Sequence, residues 1–548
     1  MAPGLPDTSR RLLLVRVAAA VAGGLLLYCA FPPVSWGWLA LPAVFLVTWA
    51  AWSASWWQGA VSGLAAGLAF FVPLLQWMTV IGSDAWLALS VFCAGWMALL
   101  GIAIALVSRL PGSAVWVACA WGLEEALRGR IPWGGFPWGS LGFSAPDQPW
   151  APALSVVGVS GAGVVLALVG ASAVAAVDGR RVNGEQGNGE RGTGEQGTGP
   201  DGRRPFDTRW AVVAAIALAA LVALPRMIGL PPSSGTLFVA VVQGGTPQLG
   251  MGAMDVRRAV LDNHVRQTLG LARDIAAGTA AQPDLVIWPE NASDIDPLAD
   301  ASAASAITAA ARAVDAPILV GAVLAARTPD GTVVADGVWN AGMLWLTSGK
   351  PTQVYVKNHP VPFGEYIPFR QQLAGLIGRF DRVPHDFLAG DKPGIMQVGS
   401  ATIGDVICFE IAYPDVVDAV AGGGAQLIAV QTNNATYGGT AQPDQQLEIS
   451  RARAIEQGRV VAIAATTGVS AFIGPTGEVL ASMPQGRTGY LVEQATLADQ
   501  RTLASTWGSL LEALTCAVAA GALVAALLRS ARQRRRARHP SASLSLGP

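Results

Sequence analysis

The sequence predicts a polytopic α-helical membrane domain of about eight spans joined to a layered α/β domain. Three observations carry that reading. Of the 548 residues, 52% are hydrophobic and only 13% charged, with a mean hydropathy of +0.42. Soluble domains carry about a quarter charged residues, so much of this chain faces lipid. Apolar segments long enough to cross a bilayer recur through the first 230 residues and once more near the C-terminus. Between 235 and 500 the texture changes to short β-rich runs alternating with helical stretches.

The spans are expected near 11–31, 36–53, 59–81, 85–108, 113–127, 150–177, 210–229 and 506–528. Pro42 interrupts the second, and the fifth is short. The first leads directly into further spans, so it reads as a retained helix rather than a cleaved leader. This divides the chain into a membrane domain at 1–230, an α/β domain at 235–500, an eighth span at 505–529 and a basic tail at 530–548.

Arginine placement sets the orientation. Arg10, Arg11 and Arg16 put the start in the cytoplasm, and the tail RSARQRRRARH does the same for the end. Six arginines between 180 and 209 place the loop after the sixth span inside as well. Arg128 and Arg130 run against the rule in an outward loop shared with Glu124 and Glu125. The 235–500 region is therefore expected outside the cytoplasm. The Gly-rich stretch 182–202 lacks the apolar residues for a core and reads as a disordered cytoplasmic linker. Trp36, Trp38, Trp49, Trp52, Trp56 and Trp57 lie near span ends, as an interfacial belt would.

Composition also narrows the chemistry. A formal net charge of −1 offers no basic field for nucleic acid. Four histidines and five cysteines without a CxxC pair point to no metal, and no cofactor motif stands out. Cys29, Cys93, Cys119 and Cys516 lie in apolar stretches, where a thiol packs as a small hydrophobe. Cys408 alone falls in the α/β region.

The runs TLFVAVVQ, PDLVIWPE, APILVGAVL, ATIGDVICFE, AQLIAVQT and VVAIAATT read as buried strands, and 254–277 and 441–458 as helices. Glu290, Lys357 and Cys408 stand at or near the ends of apolar strands, a common place for reactive side chains in α/β enzymes. Taken singly, each is more simply a solvated carboxylate, a surface lysine or a packed thiol. Together they form a chemical set: a thiol that attacks acyl carbon, a carboxylate to take its proton and an ammonium to steady the oxyanion. His359 offers a competing Cys–His pairing.

These residues sit in motifs that resemble the nitrilase, or carbon–nitrogen hydrolase, superfamily: WPEN at 288–291, VPFGEYIP at 361–368, CFEIAYP at 408–414, RARAIEQGR at 451–459 and TTGVS at 466–470. With the eight-span frame and GFPWGSLGFS at 135–144, nearly the whole chain resembles the apolipoprotein N-acyltransferase family. The resemblance implies a nitrilase-like αββα sandwich. It implies Glu290 as general base, Lys357 as stabiliser of the intermediate and Cys408 as nucleophile, supported by Glu365 and Glu410. The simpler reading of those last two is a cap or an ion pair. It further implies a monomer in the bacterial cytoplasmic membrane that moves a fatty acyl chain from a phospholipid to the α-amine of a diacylated apolipoprotein, through a thioester and without metal or nucleotide. TNNATYGG at 432–439 departs from the family's pattern, with Asn434 in place of an acid, Thr436 of Trp and Tyr437 of Phe. That departure bears on lid packing and substrate preference. The competing readings are a membrane-tethered amidase with water as second nucleophile, and an inactive scaffold. Eight spans exceed what a tether needs, and the intact triad disfavours a scaffold.

Overall fold

The computed structural model describes residues 7–178, 207–248, 258–328, 331–373 and 385–538. The Gly-rich 182–202 stretch and the end of the basic tail lie outside the described residues.

The apolar segments form helices α1 (Asp7–Cys29), α2 (Ala40–Ala51), α3 (Trp56–Leu74), α4 (Ser83–Val107), α5 (Ser113–Arg128), α6 (Leu154–Asp178) and α7 (Thr208–Ile228). Six helices of the described residues are long and apolar enough to cross a membrane: α1, α3, α4, α6, α7 and the C-terminal helix. The other two expected spans are shorter, at 12 residues in α2 and 16 in α5. Pro42 does not interrupt α2. It lies in the first turn, where a missing N–H costs little. α3 and α4 approach so closely that a Cβ on Gly101 would lie 2.0 Å from the Gly59 carbonyl oxygen, so glycine is required there.

Glu124 and Glu125 are not in a loop as expected but within α5, together with Arg128. Buried Arg128 pairs with Glu124 at 2.8 Å, one helical turn away, and donates to the carbonyls of Phe136 and Trp138. The charge that offends the arginine rule is thus matched internally and spent on holding the following loop. Of the tryptophans read as a belt, Trp36, Trp38 and Trp56 are exposed, whereas Trp52 is buried and donates to Asp178.

The α/β domain runs β1 (Gly235–Gln243), α8 (Ala259–Ala276), β2 (Leu285–Ile287), α9 (Ala301–Ala313), β3 (Ile318–Arg327), β4 (Val333–Trp345), β5 (Pro351–Val356), α10 (Arg370–Leu373), β6 (Asp386–Phe387), β7 (Ile395–Val398) and β8 (Ala401–Ile407). It continues through α11 (Pro414–Gly422), β9 (Leu427–Thr432), α12 (Gln442–Gln457), β10 (Val461–Ala465), β11 (Ser470–Ile473), β12 (Val479–Met483) and β13 (Gly489–Leu497), and closes with α13 (Leu503–Arg538). One sheet has the order β13-β1-β2-β3-β4-β5 with β6 beside β4; the other has the order β12-β11-β10-β9-β8-β7.

Strand alternation explains why the runs are apolar on both faces. Val239 and Val241 of β1 join the core between the sheets, while Ala240 and Val242 pack with α8 and α9 residues. In the second sheet Leu427 and Ala429 face inward, and Ile428 and Val430 join a core that also includes α11, α12 and the membrane helices. The result is an αββα sandwich whose α12 layer is continuous with the membrane domain. Gln445 on α12 marks that seam. Its Oε1 accepts from the indoles of Trp77 (3.0 Å) and Trp138 (2.7 Å), and its Nε2 donates to the carbonyls of Pro32 and Leu74. Eleven residues on, Glu456 accepts from the backbone N–H of Val159 at 2.8 Å, beside the kink in α6 at Gly158.

Candidate active site

Cys408 follows β8 directly and opens a 3-10 turn over Cys408–Ala412. Its φ of +57° is a conformation that a side chain makes costly, so the surroundings must enforce it. They do so from both sides. Arg453 on α12 donates to the carbonyls of Ile411 (3.1 Å) and Ala412 (2.7 Å). Glu410, fully buried, accepts from the backbone N–H groups of Ile407 (2.9 Å), Asn358 (2.7 Å) and His359 (3.0 Å) and from the Tyr355 hydroxyl. Its carboxylate thereby ties the segment after Lys357 to the turn that carries the thiol. Burial raises the Glu410 carboxyl above its ordinary range, opposed by Lys357 and these donors.

Glu290 lies three residues past β2 and is 4% exposed. Oε1 accepts from Lys357 Nζ at 3.0 Å and from Asn340 Nδ2 at 2.6 Å, and Oε2 accepts from the backbone N–H of Asn433 at 2.8 Å. A Cβ on Gly321 of β3 would lie 2.1 Å from the Pro289 carbonyl oxygen, so glycine admits the WPEN segment to its place.

Lys357, next after β5 and 1% exposed, sits between two carboxylates: Glu290 at 3.0 Å and Glu365 at 2.9 Å. Burial favours its neutral form, but Glu290 and Glu365 outweigh this and hold the ammonium well above its usual pKa. A lysine so paired stays charged. Cys408 behaves oppositely. Burial and the Glu290 carboxylate push the thiol up to about 12, against the pull of Lys357 and a hydrogen bond from Thr432. The resting sulfur is therefore a thiol, and its proton must move as it attacks.

All three residues singled out in the sequence thus converge, and Glu365 and Glu410 lie beside them. Glu365 does form an ion pair, but its partner is Lys357. His359 does not join the set. Its Nε2 pairs with Asp415 at 2.9 Å, its Nδ1 faces Gly134, and its ring stacks on Tyr413 at 4.5 Å.

Sequence reasoning missed Asn340, which bridges Glu290 (2.6 Å) and Glu365 (2.7 Å) from β4, and Thr432, whose hydroxyl is 3.3 Å from the Cys408 sulfur. Each left a signal: a lone amide within the apolar run VWNAGMLW, and a hydroxyl where the apolar run of β9 turns polar. The apolar wall is supplied by the membrane domain. Phe409 stacks on Trp138 at 4.8 Å and lies 5.6 Å from Phe136, both in the loop after α5, while Tyr437 meets Trp77 edge-on at 5.1 Å.

Residues 23–172 match the family model of the apolipoprotein N-acyltransferase N-terminal domain, and residues 238–504 that of carbon-nitrogen hydrolase. The chain is 36% identical over 527 residues to an apolipoprotein N-acyltransferase of Mycolicibacterium smegmatis, spanning 94% of this chain and 86% of that relative. It is 27% identical over 563 residues to one of Gloeobacter violaceus, spanning 97% and 98%. Among solved structures, a mutant of the Nesterenkonia AN1 amidase from the nitrilase superfamily matches with a TM-score of 0.36 and 21% identity, over 52% of this chain and 98% of that one.

Proposed function

The chain belongs to the apolipoprotein N-acyltransferase family, and from that premise we propose that it transfers a fatty acyl chain from a phospholipid to the α-amine of a diacylated lipoprotein through Cys408. The observation that carries this is the seating of a Glu290–Lys357–Cys408 cluster directly against aromatic residues of the membrane domain. Such a site meets lipid without leaving the bilayer surface, which raises the effective concentration of both substrates.

The chemistry follows from the contacts. As the Cys408 sulfur bonds to the ester carbonyl carbon, its proton passes to Glu290. The carbonyl oxygen gains charge, which the Lys357 ammonium stabilises. On collapse the ester C–O bond breaks and Glu290 returns the proton to the departing glycerol oxygen, leaving a lysophospholipid and a thioester. The lipoprotein amine then attacks the thioester carbon, Glu290 takes a proton from the nitrogen, and the sulfur leaves and is reprotonated. An amide is more stable than a thioester, so the second step runs downhill.

Single-turnover incubation with an acyl-labelled phospholipid tests the reading. Label should appear on Cys408 and move to an added diacylated lipopeptide. Cys408→Ala and Cys408→Ser should take up none, since a serine hydroxyl is a far weaker nucleophile without an activating base matched to it. A protein with Cys29, Cys93, Cys119 and Cys516 all changed to Ala should work near normally. Label released as free fatty acid, with none on the lipopeptide, would identify a hydrolase instead.

Orientation is part of the proposal. With the α2 and α5 segments crossing alongside the six long helices, both termini are cytoplasmic and 235–500 lies outside. Reporter fusions at 190 and near 495 should then report opposite sides. Finding both on one side would remove the lipoprotein substrate from reach of the site.

A further inference from the structure

Thr432 ends β9 one residue before the backbone N–H that holds Glu290, and its side chain is 1% exposed. Three acceptors lie within reach of its hydroxyl hydrogen: the Cys408 sulfur at 3.3 Å, Gln446 Oε1 at 3.2 Å and Asn434 Oδ1 at 3.4 Å. The second is already occupied. Gln446 Oε1 accepts from Asn434 Nδ2 at 2.8 Å and from Gln442 Nε2 at 3.2 Å, which uses both lone pairs of an amide oxygen. Gln446 Nε2 in turn donates to the Thr432 oxygen and to the Cys408 carbonyl, each at 3.1 Å. A hydroxyl that accepts from Gln446 has its single hydrogen left for one of the two remaining acceptors, and the sulfur, with its larger radius, is better placed at 3.3 Å than the Asn434 oxygen at 3.4 Å.

We propose that Thr432 is a further catalytic residue that donates a hydrogen bond to the Cys408 sulfur as it gains negative charge, with Asn434 and Gln446 holding the hydroxyl in that orientation. The proposal rests on the reading of Cys408 as nucleophile and deepens it. No proton is transferred; the hydroxyl keeps its hydrogen and the bond strengthens as the thiol proton moves to Glu290, because a charged acceptor makes a stronger hydrogen bond than a neutral one. The same contact serves again when sulfur leaves from the thioester. It also gives a role to the departure at 434. An aspartate there would have no N–H to offer Gln446 Oε1. The amide would turn its Nε2 toward the acid and its Oε1 toward Thr432, drawing the hydroxyl away from sulfur.

The test uses the full-length protein with the other four cysteines changed to Ala, and measures the rate of Cys408 alkylation by iodoacetamide at neutral pH. Thr432→Val, which keeps the shape and removes the hydroxyl, should slow alkylation about tenfold. Thr432→Ser should recover most of that loss, and Asn434→Asp should slow the reaction in the same direction as Val. Thioester formation from labelled phospholipid should follow the same order. A Val variant alkylated at the parent rate overturns the proposal, as does a Ser variant as slow as Val, since bulk rather than the hydroxyl would then matter. Asn434→Asp at the parent rate would overturn the orienting role of Asn434. Failure of the nucleophile reading looks different: acyl label would then never appear on Cys408 of the parent protein, whatever its alkylation rate.

Discussion

Glu290→Gln is expected to abolish thioester formation while leaving Cys408 at least as open to a small alkylating agent as in the parent protein. The two effects separate because they draw on different properties of the carboxylate. After burial, the Glu290 charge is the largest influence raising the Cys408 thiol. A neutral amide removes that repulsion and leaves the Lys357 ammonium in place, so the thiol pKa falls and more thiolate is present at neutral pH. Alkylation, which needs only thiolate, should hold or rise. Acylation needs more. The glycerol oxygen of the donor is a poor leaving group unless it is protonated, and glutamine has no proton to return. The loss should be about 10²–10⁴-fold. The measurement pairs iodoacetamide labelling with single-turnover acylation on the same preparation, and retained labelling also reports that Cys408 is still in place. Equal loss of both would make Glu290 a structural partner of Asn433 and Asn340 rather than a base.

The strands that carry the triad were legible because each is a buried run ending in one conspicuous polar residue. PDLVIWPE, VYVKN and DVICFE place Glu290, Lys357 and Cys408 within three residues of a strand end, and the structure has them there. That they meet was not legible from spacing. It depends on β2 and β5 lying in one sheet and β8 in the facing one, a pairing that motif resemblance supplied. Asn340 shows what such reading loses. It sits mid-strand on β4, where an amide signals only an exposed face, and becomes a site residue because β5 beside it brings Lys357 within reach of the same two carboxylates. The loop expected at Glu124 and Glu125 was misplaced for a related reason. Glu124, Glu125 and Arg128 look like a loop in hydropathy, yet the Arg128–Glu124 pair can be buried in a helix because the two charges match and the spare guanidinium donors bind backbone carbonyls, while Glu125 accepts from the Leu141 N–H. The seam between domains was least visible of all. Gln445, one glutamine in the pair QQ, gathers two indoles and two carbonyls from segments more than 300 residues away.

Lys357→Arg is expected to fail almost as completely as loss of the nucleophile, although it keeps the charge. Lys357 is fully buried and offers one compact ammonium to Glu290 at 3.0 Å and Glu365 at 2.9 Å. A guanidinium is larger and planar, and it prefers two parallel bonds to a single carboxylate. It would claim one glutamate and push the other aside, or turn its donors away from the carbonyl oxygen that must gain charge. Loss of one such donor costs about 10²–10³ in rate. Lys357→Met would go further, leaving buried Glu290 and half-buried Glu365 without a cation, a change that destabilises by about 3–5 kcal/mol. The pair of variants therefore separates placement from charge: Arg should approach parent stability in thermal unfolding yet lose acylation, whereas Met should lose both. His359→Ala supplies the contrast, because its ring nitrogens face Asp415 and Gly134, and most activity should remain. Lys357→Arg acylating within tenfold of the parent would mean that a positive charge anywhere in the cage suffices for the oxyanion. His359→Ala blocking the thioester while Glu290→Gln forms it normally would replace the carboxylate mechanism with a Cys–His one.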